Sequence, residues 1–256
     1  MHIVVLLKAV PVVGTERLGP DMRVQRTQLE ANGNDEYVLE KALKLTESTG
    51  GEVSLLSVGP PSALDALRKA LAMGATRAYH VTDGALAGSC LRATVAVLVA
   101  ALQKLEFDLL FVGADTSDGQ GGVVAAAIAA RLELPYLSYA SEITPIDGGV
   151  RVHRLSALGY DVLEAATPAV VMGTQVLGEP RYPSLRGIMQ ARSKEVTTWS
   201  LADLGIESAS VGESAATTRV TGSDAPPQRS GATVLRGAPE EVVAQVVDFL
   251  AQRRLI

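Results

Sequence analysis

The chain has 256 residues, 47% of them apolar, and 23 Lys plus Arg against 28 Asp plus Glu, for a formal net charge of −5. That length buries a substantial core, fitting one large domain with an appendage, and the charge argues against general nucleic-acid binding. The single cysteine, Cys90, excludes an intrachain disulfide and a thiolate metal cluster and implies a reducing, cytoplasmic setting.

Residues 2 to 8, HIVVLLK, form the continuous apolar run of a parallel strand covered on both faces. In MHIVVLLKAV the apolar segment is only a strand long and its charge sits behind it, so it reads as the first strand and not as a signal peptide. A loop containing Gly14, Gly19 and Pro20 leads to Asn34, an expected N-cap. Asp35 and Glu36 then open a helix with Val38, Ala42 and Leu45 at helical spacing, stopped by Gly50 and Gly51. EVSLLSVG (52–59) is the second strand and PSALDALRKALAMG (61–74) the second helix. RAYHVT (77–82), a helix over 89–104, FDLLFVG (107–113) and GGVVAAAIAARL (121–132) continue the alternation. Four strand–helix alternations predict an α/β fold with a doubly wound, mostly parallel sheet.

From Tyr136 the pattern changes to consecutive strands with turns at Asp147, Gly148 and Gly149 and at Gly159, which predicts antiparallel additions to the sheet. PAVVM (168–172) has the length and β-branched content of a buried strand. The segment that follows breaks the rules for a solvated loop. It holds Pro180 and Pro183, shows Tyr182, Leu185, Ile188 and Met189 without a period that hides them all, and carries four basic residues and no acid from Arg181 to Lys194. A stiffened, basic, partly apolar segment predicts contact with another protein. After Leu204 the composition turns to Ser, Ala, Thr and Gly, an extended arm, and Pro239 to Leu255 then reads as an amphipathic helix with Val242, Val243, Val246, Val247 and Leu250 on one face. The expected division is a domain over 1–204, including the 180–194 segment, and an arm with a docking helix over 205–256. The apolar stretches at 93–102 and 123–130 fall well short of the roughly 18 residues a membrane span needs, which implies a soluble chain.

The densest small-residue segment, VGADTSDGQGG (112–122), lies between a predicted strand end and a helix start, where open α/β sheets bind anions. A phosphate or nucleotide fits there, and so does a Gly-rich connection that merely lets strand and helix pack closely. Neither G-x-G-x-x-G after the first strand nor G-x-x-x-x-G-K-[ST] anywhere is present, which argues against a hydride-transferring Rossmann enzyme and a P-loop NTPase. His2, His80 and His153 lie in predicted strands without paired spacing, and Cys90 falls in an apolar helix as a core residue. Asp115 and Asp118 have the chemistry to hold a ribose or magnesium, or simply to cap a turn. No constellation for making or breaking a bond emerges.

Seven segments taken in order carry a family resemblance: NGNDEYVLEKALKL (32–45), KALAMGATRAYHV (69–81), GADTSDGQGG (113–122), LPYLSYASEI (134–143), PAVVMG (168–173), GEPRYPSLRGIMQARSK (178–194) and PPQRSGATV (226–234). Together they resemble the β subunit of electron transfer flavoprotein, and GEPRYPSLRGIMQARSK is the most specific of them. The resemblance implies an adenine-nucleotide α-hydrolase-like fold and a heterodimer with an α subunit that carries FAD. It implies electron flow from flavin dehydrogenases, such as the acyl-CoA dehydrogenases of fatty acid β-oxidation, toward the quinone pool through an electron transfer flavoprotein–quinone oxidoreductase. The flavin does the redox chemistry, so the chain needs no catalytic side chain of its own.

The family's AMP pocket maps onto Leu6, Asn32, Gly33, Asn34, Asp35 and Val58, and onto Gly113, Thr116, Ser117, Asp118, Gly119, Gln120 and Gly121. Its dehydrogenase-recognition loop maps onto Pro180, Arg181, Tyr182, Pro183, Ser184, Leu185, Arg186, Gly187, Ile188 and Met189, with Leu185 as the anchor and the basic neighbours as steering groups. Three positions depart from the family pattern. The nucleotide loop is a few residues shorter, Val13 and Asn34 stand where relatives often place an aromatic residue near the flavin, and Arg154 and Leu155 replace a charged pair before a glycine turn. Two other readings stay open: a bifurcating β subunit with a second FAD in the AMP pocket, and a stand-alone adenine-nucleotide sensor on the same kind of sheet.

Overall fold

The computed structural model describes residues 1–224 and 231–256, so Pro226, Pro227 and most of the PPQRSGATV segment lie outside the described residues. The chain forms two compact units, Met1–Thr221 and Gly222–Ile256. In the first, β1 (His2–Leu6) is followed by a short hairpin, β2 (Ala9–Pro11) and β3 (Leu29–Ala31), then α1 (Gly33–Thr49), β4 (Glu52–Val58), α2 (Leu64–Met73), β5 (Arg77–Val81), α3 (Leu91–Leu102), β6 (Leu109–Gly113) and α4 (Val124–Leu132). Next come β7 (Tyr136–Ile146), β8 (Gly149–Ser156), β9 (Gly159–Ala166), β10 (Ala169–Gly173), α5 (Leu185–Ala191) and β11 (Val196–Trp199). The second unit holds α6 (Pro239–Gln252).

Nine strands make one sheet in the order β11-β5-β4-β1-β6-β10-β7-β8-β9. It is parallel from β11 through β7 and antiparallel across β7, β8 and β9. Alternate residues of the central strands serve two cores. Ile3, Val5, Leu55, Phe111 and Val171 pack on the side of α1 and α2, and Val4, Leu56, Leu110, Val170 and Met172 on the side of α3 and α4. The doubly wound, mixed sheet read from the sequence is therefore present.

The strand arrangement also differs from a simple reading. β10 leaves the antiparallel meander and inserts between β6 and β7, parallel to both. All five of its residues are buried, and β9 alternates between exposed and half-buried positions, so only a central slot with both faces covered satisfies AVVMG. β11 adds to the β5 edge, a strand that periodicity alone does not signal. The β2–β3 hairpin organises what reads as a plain loop.

α1 begins at Gly33 with Asn32 as its N-cap residue, two residues earlier than the expected cap at Asn34. Asn32 makes no side-chain capping bond, because its amide is spent on a distant loop described below. Packing also outlasts the composition shift after Leu204. Val211 is buried, Ala216 packs on the α3–α4 side, and the Gly212 N–H donates to Ser89 Oγ at 2.9 Å. In the second unit, Val243, Val246, Val247 and Phe249 of α6 are exposed. No helix among the described residues is long and apolar enough to cross a membrane.

Candidate functional site: a cavity at the strand ends and an outward segment

A cavity of about 370 Å3 opens at the C-terminal ends of β1, β4 and β6. Leu6, Asp35, Val58, Gly113, Thr116, Gly119 and Gly121 line it, so seven of the residues assigned to a nucleotide pocket come together. Its opposite wall comes from the start of α3, where Ser89, Leu91, Thr94 and Leu98 face it. Sequence reasoning missed that wall, although the signal was available: α3 follows β5 at the same end of the sheet, where ligands gather. Cys90, expected inside this helix, is instead its buried N-cap residue.

The remaining assigned residues shape the cavity's loop without lining it. Asn32 donates from Nδ2 to the Asp115 carbonyl at 2.8 Å and accepts the Ser117 N–H at 3.3 Å, and Asn34 donates to Asp115 Oδ1 at 2.6 Å. Gln120 and Gly122 take left-handed backbone conformations that fold the loop back, with the Gln120 N–H bonded to the Thr116 carbonyl at 2.8 Å. Gly33 begins α1, where a Cβ would meet nothing nearby.

Asp118 is not a free ligand. Its buried carboxylate accepts from Lys8 Nζ at 2.8 Å and from Arg26 Nη2 at 2.7 Å, while Lys8 also reaches Thr116 Oγ1 at 3.3 Å. Burial pushes the Asp118 carboxyl up, but the bonds to Lys8, Thr116 and Arg26 outweigh it and hold it at about 2. Lys8 is the cation that lines the cavity, and it was not among the assigned residues.

Asp35 behaves in the opposite way. Burial pushes it up to about 7, against the opposing effect of the Lys8 backbone N–H, which donates to Oδ2 at 2.8 Å, and of Asn32. It is also why β6 ends in glycine. A Cβ on Gly113 would stand 2.3 Å from Asp35 Oδ1 and 2.9 Å from the Asn34 backbone.

On the α1–α2 side, the 180–194 segment is not an irregular loop throughout. Ser184 caps α5, accepting the Gly187 N–H at 3.0 Å, and the helix runs through Ala191 with Leu185, Ile188 and Met189 exposed. Leu185 is 76% exposed and Tyr182 96%. Ordinary periodicity fails here because the apolar residues face solvent. Gly187 allows a close approach to α2, where a Cβ would lie 2.3 Å from the Ala72 carbonyl oxygen.

Two of the segment's four cations are tied down internally. Arg181 forks onto Glu40 at 2.7 Å and Glu47 at 2.5 Å, both on α1. Burial raises Glu40, but Arg181 more than offsets that and holds it below the usual carboxylate range; Arg181 also lowers Glu47. Lys194 Nζ caps the end of α2 through the Leu71 and Ala75 carbonyls at 2.9 and 2.6 Å. Among the described residues Arg181 is the one of the four paired with carboxylates, Lys194 is held in place by carbonyls, and Arg186 and Arg192 have no ion pair.

The Electron transfer flavoprotein domain model matches residues 22–204. A chain named Electron transfer flavoprotein subunit beta in Thermoanaerobacterium thermosaccharolyticum is 34% identical over 263 residues, covering 100% of both chains. This chain belongs to the electron transfer flavoprotein β-subunit family. A subunit of that name in Mycobacterium tuberculosis is 35% identical, with 100% of this chain and 99% of the relative covered. The Acetobacterium woodii relative named Caffeyl-CoA reductase-Etf complex subunit CarD is 34% identical over the full length of both. As a β subunit, the chain implies a heterodimer with an α subunit, in a family whose business is electron transfer.

Two of the three expected departures from the family pattern concern residues whose surroundings the structure shows. Val13 is exposed and Asn34 is tied to Asp115. Arg154 pairs with Asp161 of the neighbouring β9 at 2.6 Å, and Leu155 is exposed.

Proposed function

We propose that the chain, joined to its α subunit, accepts electrons from flavin dehydrogenases such as acyl-CoA dehydrogenases and passes them toward the quinone pool through a quinone oxidoreductase. FAD, held mainly by the α subunit, supplies the redox chemistry, and this chain contributes a binding surface and a nucleotide pocket instead of a catalytic side chain. The observation that carries the reading is the 180–191 segment. Large apolar side chains point to solvent from a base fixed by Arg181 and Lys194, a surface that only a partner would bury. A stand-alone nucleotide sensor has no use for it.

The cavity beside Gly113 is proposed to hold AMP. Its residues suit that guest: apolar Leu6, Val58, Leu91 and Leu98 for a base, and Lys8 with the loop from Thr116 to Gly121 for a phosphate. Its volume lies near the small end of the about 300–1,000 Å3 seen for ligand pockets, which favours a mononucleotide over a second FAD. A second reading, a second FAD in a bifurcating complex, draws support from the Acetobacterium woodii relative's place in a reductase–Etf complex.

Co-expression with the α subunit and analysis of the nucleotides released on denaturation test both. One FAD and one AMP per heterodimer are expected. Two FAD per heterodimer would shift the assignment to bifurcation, and no nucleotide beyond the first flavin would sink the pocket reading. A colourless, stable monomer that binds ATP would overturn the electron-transfer role.

A further inference from the structure

A second cleft, of about 480 Å3, lies between α2 and α5, on the outward segment and away from the cavity at Gly113. Ala72, Pro183, Ile188 and Ala191 supply its apolar surface, and Arg68, Lys69 and Arg192 its charge. No acid lines it. Lys69 is balanced by Glu36 at 2.8 Å. Arg68 spends Nη1 on the Ala191 and Lys194 carbonyls, both at 2.7 Å, which fixes the guanidinium in place and leaves its charge uncompensated by any carboxylate among the described residues. Arg192 has no ionic partner among them.

We propose that this cleft receives an acidic side chain flanked by apolar residues, presented by the same dehydrogenase that buries Leu185. The proposal rests on the reading of 180–194 as the partner-recognition segment. Charge complementarity selects the occupant: in a chain of net charge −5, two uncompensated guanidinium groups border one apolar recess. Guanidinium forks match a carboxylate in bidentate geometry, and apolar walls that exclude water strengthen the attraction. Ile188 and Ala191, three apart on one face of α5, turn toward the cleft while Leu185 begins the same helix. One short helix thus carries both an outward anchor and one wall of an inward socket, and its close seat on α2 at Gly187 fixes their spacing.

The test uses the α–β heterodimer and a flavin dehydrogenase that reduces the wild-type protein, with reduction rates measured against heterodimer concentration at several salt concentrations. Arg192→Glu is expected to raise KM about tenfold, to leave kcat and FAD content unchanged, and to flatten the salt dependence. Arg192→Lys should restore most of the affinity. Leu185→Ala should raise KM at every salt concentration, reporting on the segment independently of charge.

If Leu185→Ala raises KM while Arg192→Glu leaves KM and salt dependence untouched, the cleft proposal is overturned and the recognition reading stands. If neither variant changes KM, the recognition reading fails and the cleft proposal with it. A concentration-dependent doubling of the heterodimer's mass that Arg192→Glu abolishes would give the cleft to a second copy and overturn the proposal as well.

Discussion

β6 and β10 end side by side, with Gly113 opposite Gly173 in the parallel ladder, and the chain leaves the two strands in opposite ways. After β6 it folds inward. Asp118 is buried between Lys8 and Arg26, and Asn32 and Asn34 hold Asp115, so the loop closes on its own polar groups. After β10 it runs outward, held at its ends through Arg181 and Lys194 and seated on α2 at Gly187, and Tyr182, Leu185 and Met189 are left to solvent. A buried carboxylate with two cations in reach draws one loop over a cavity. Two acids on α1 hold the base of the other and leave its middle for display. Burial of paired polar groups builds a container, and exposure of apolar groups on a clamped helix builds a handle.

That contrast breaks first at Gly113. Gly113→Ala drives a methyl into Asp35 Oδ1 and the Asn34 backbone, and it should cost about 3 kcal/mol in denaturant unfolding because neither neighbour can retreat. A loss below about 0.5 kcal/mol would show that the cavity wall is soft and remove the rigid-container picture.

The next largest effect is expected at the base of the outward segment. Arg181→Ala leaves the buried Glu40 with Lys44, at 3.3 Å, and the residue-181 backbone N–H, at 3.1 Å, and should cost about 2 kcal/mol. Amide exchange over 182–192 should quicken while the cavity loop keeps its protection. Arg181→Lys should recover little, since an ammonium cannot fork onto both Glu40 and Glu47. Unchanged exchange in the segment would show that the clamp does not hold it.

The smallest effect follows from Asp118 and pH. Its folded-state pKa of about 2 lies below the ordinary 3.8, so its stabilisation is complete above about pH 4 and is lost as pH falls toward 2. Asp118→Asn should therefore cost about 1–2 kcal/mol at pH 7, discounted because Lys8 and Arg26 are partly exposed, and the gap to wild type should close between pH 4 and pH 2. A gap that persists at pH 2 would mean the loop is closed by something other than this carboxylate.

Much of the fold was legible in the residues. The apolar runs at 2–8, 52–59 and 107–113 and the helical spacing between them announce the parallel sheet, and the glycine loop after β6 points to the cavity. The slot of β10 was not legible, because strand order depends on which faces remain uncovered and not on local period. α5 was hidden for a related reason: a helix whose apolar residues face solvent looks irregular to any rule that expects them inside.

By itself, then, the sequence determined the alternation of elements, the family, and the two segments with functional character, since these follow from local pattern and residue type. Only the tertiary structure decided which charges remain available. Lys8 and Asp118 are 110 positions apart and Arg181 and Glu40 are 141 apart, yet each pair is in contact. Whether a carboxylate or guanidinium is a ligand, a clamp or a free hand depends on its neighbours at about 3 Å, and those come from distant parts of the chain.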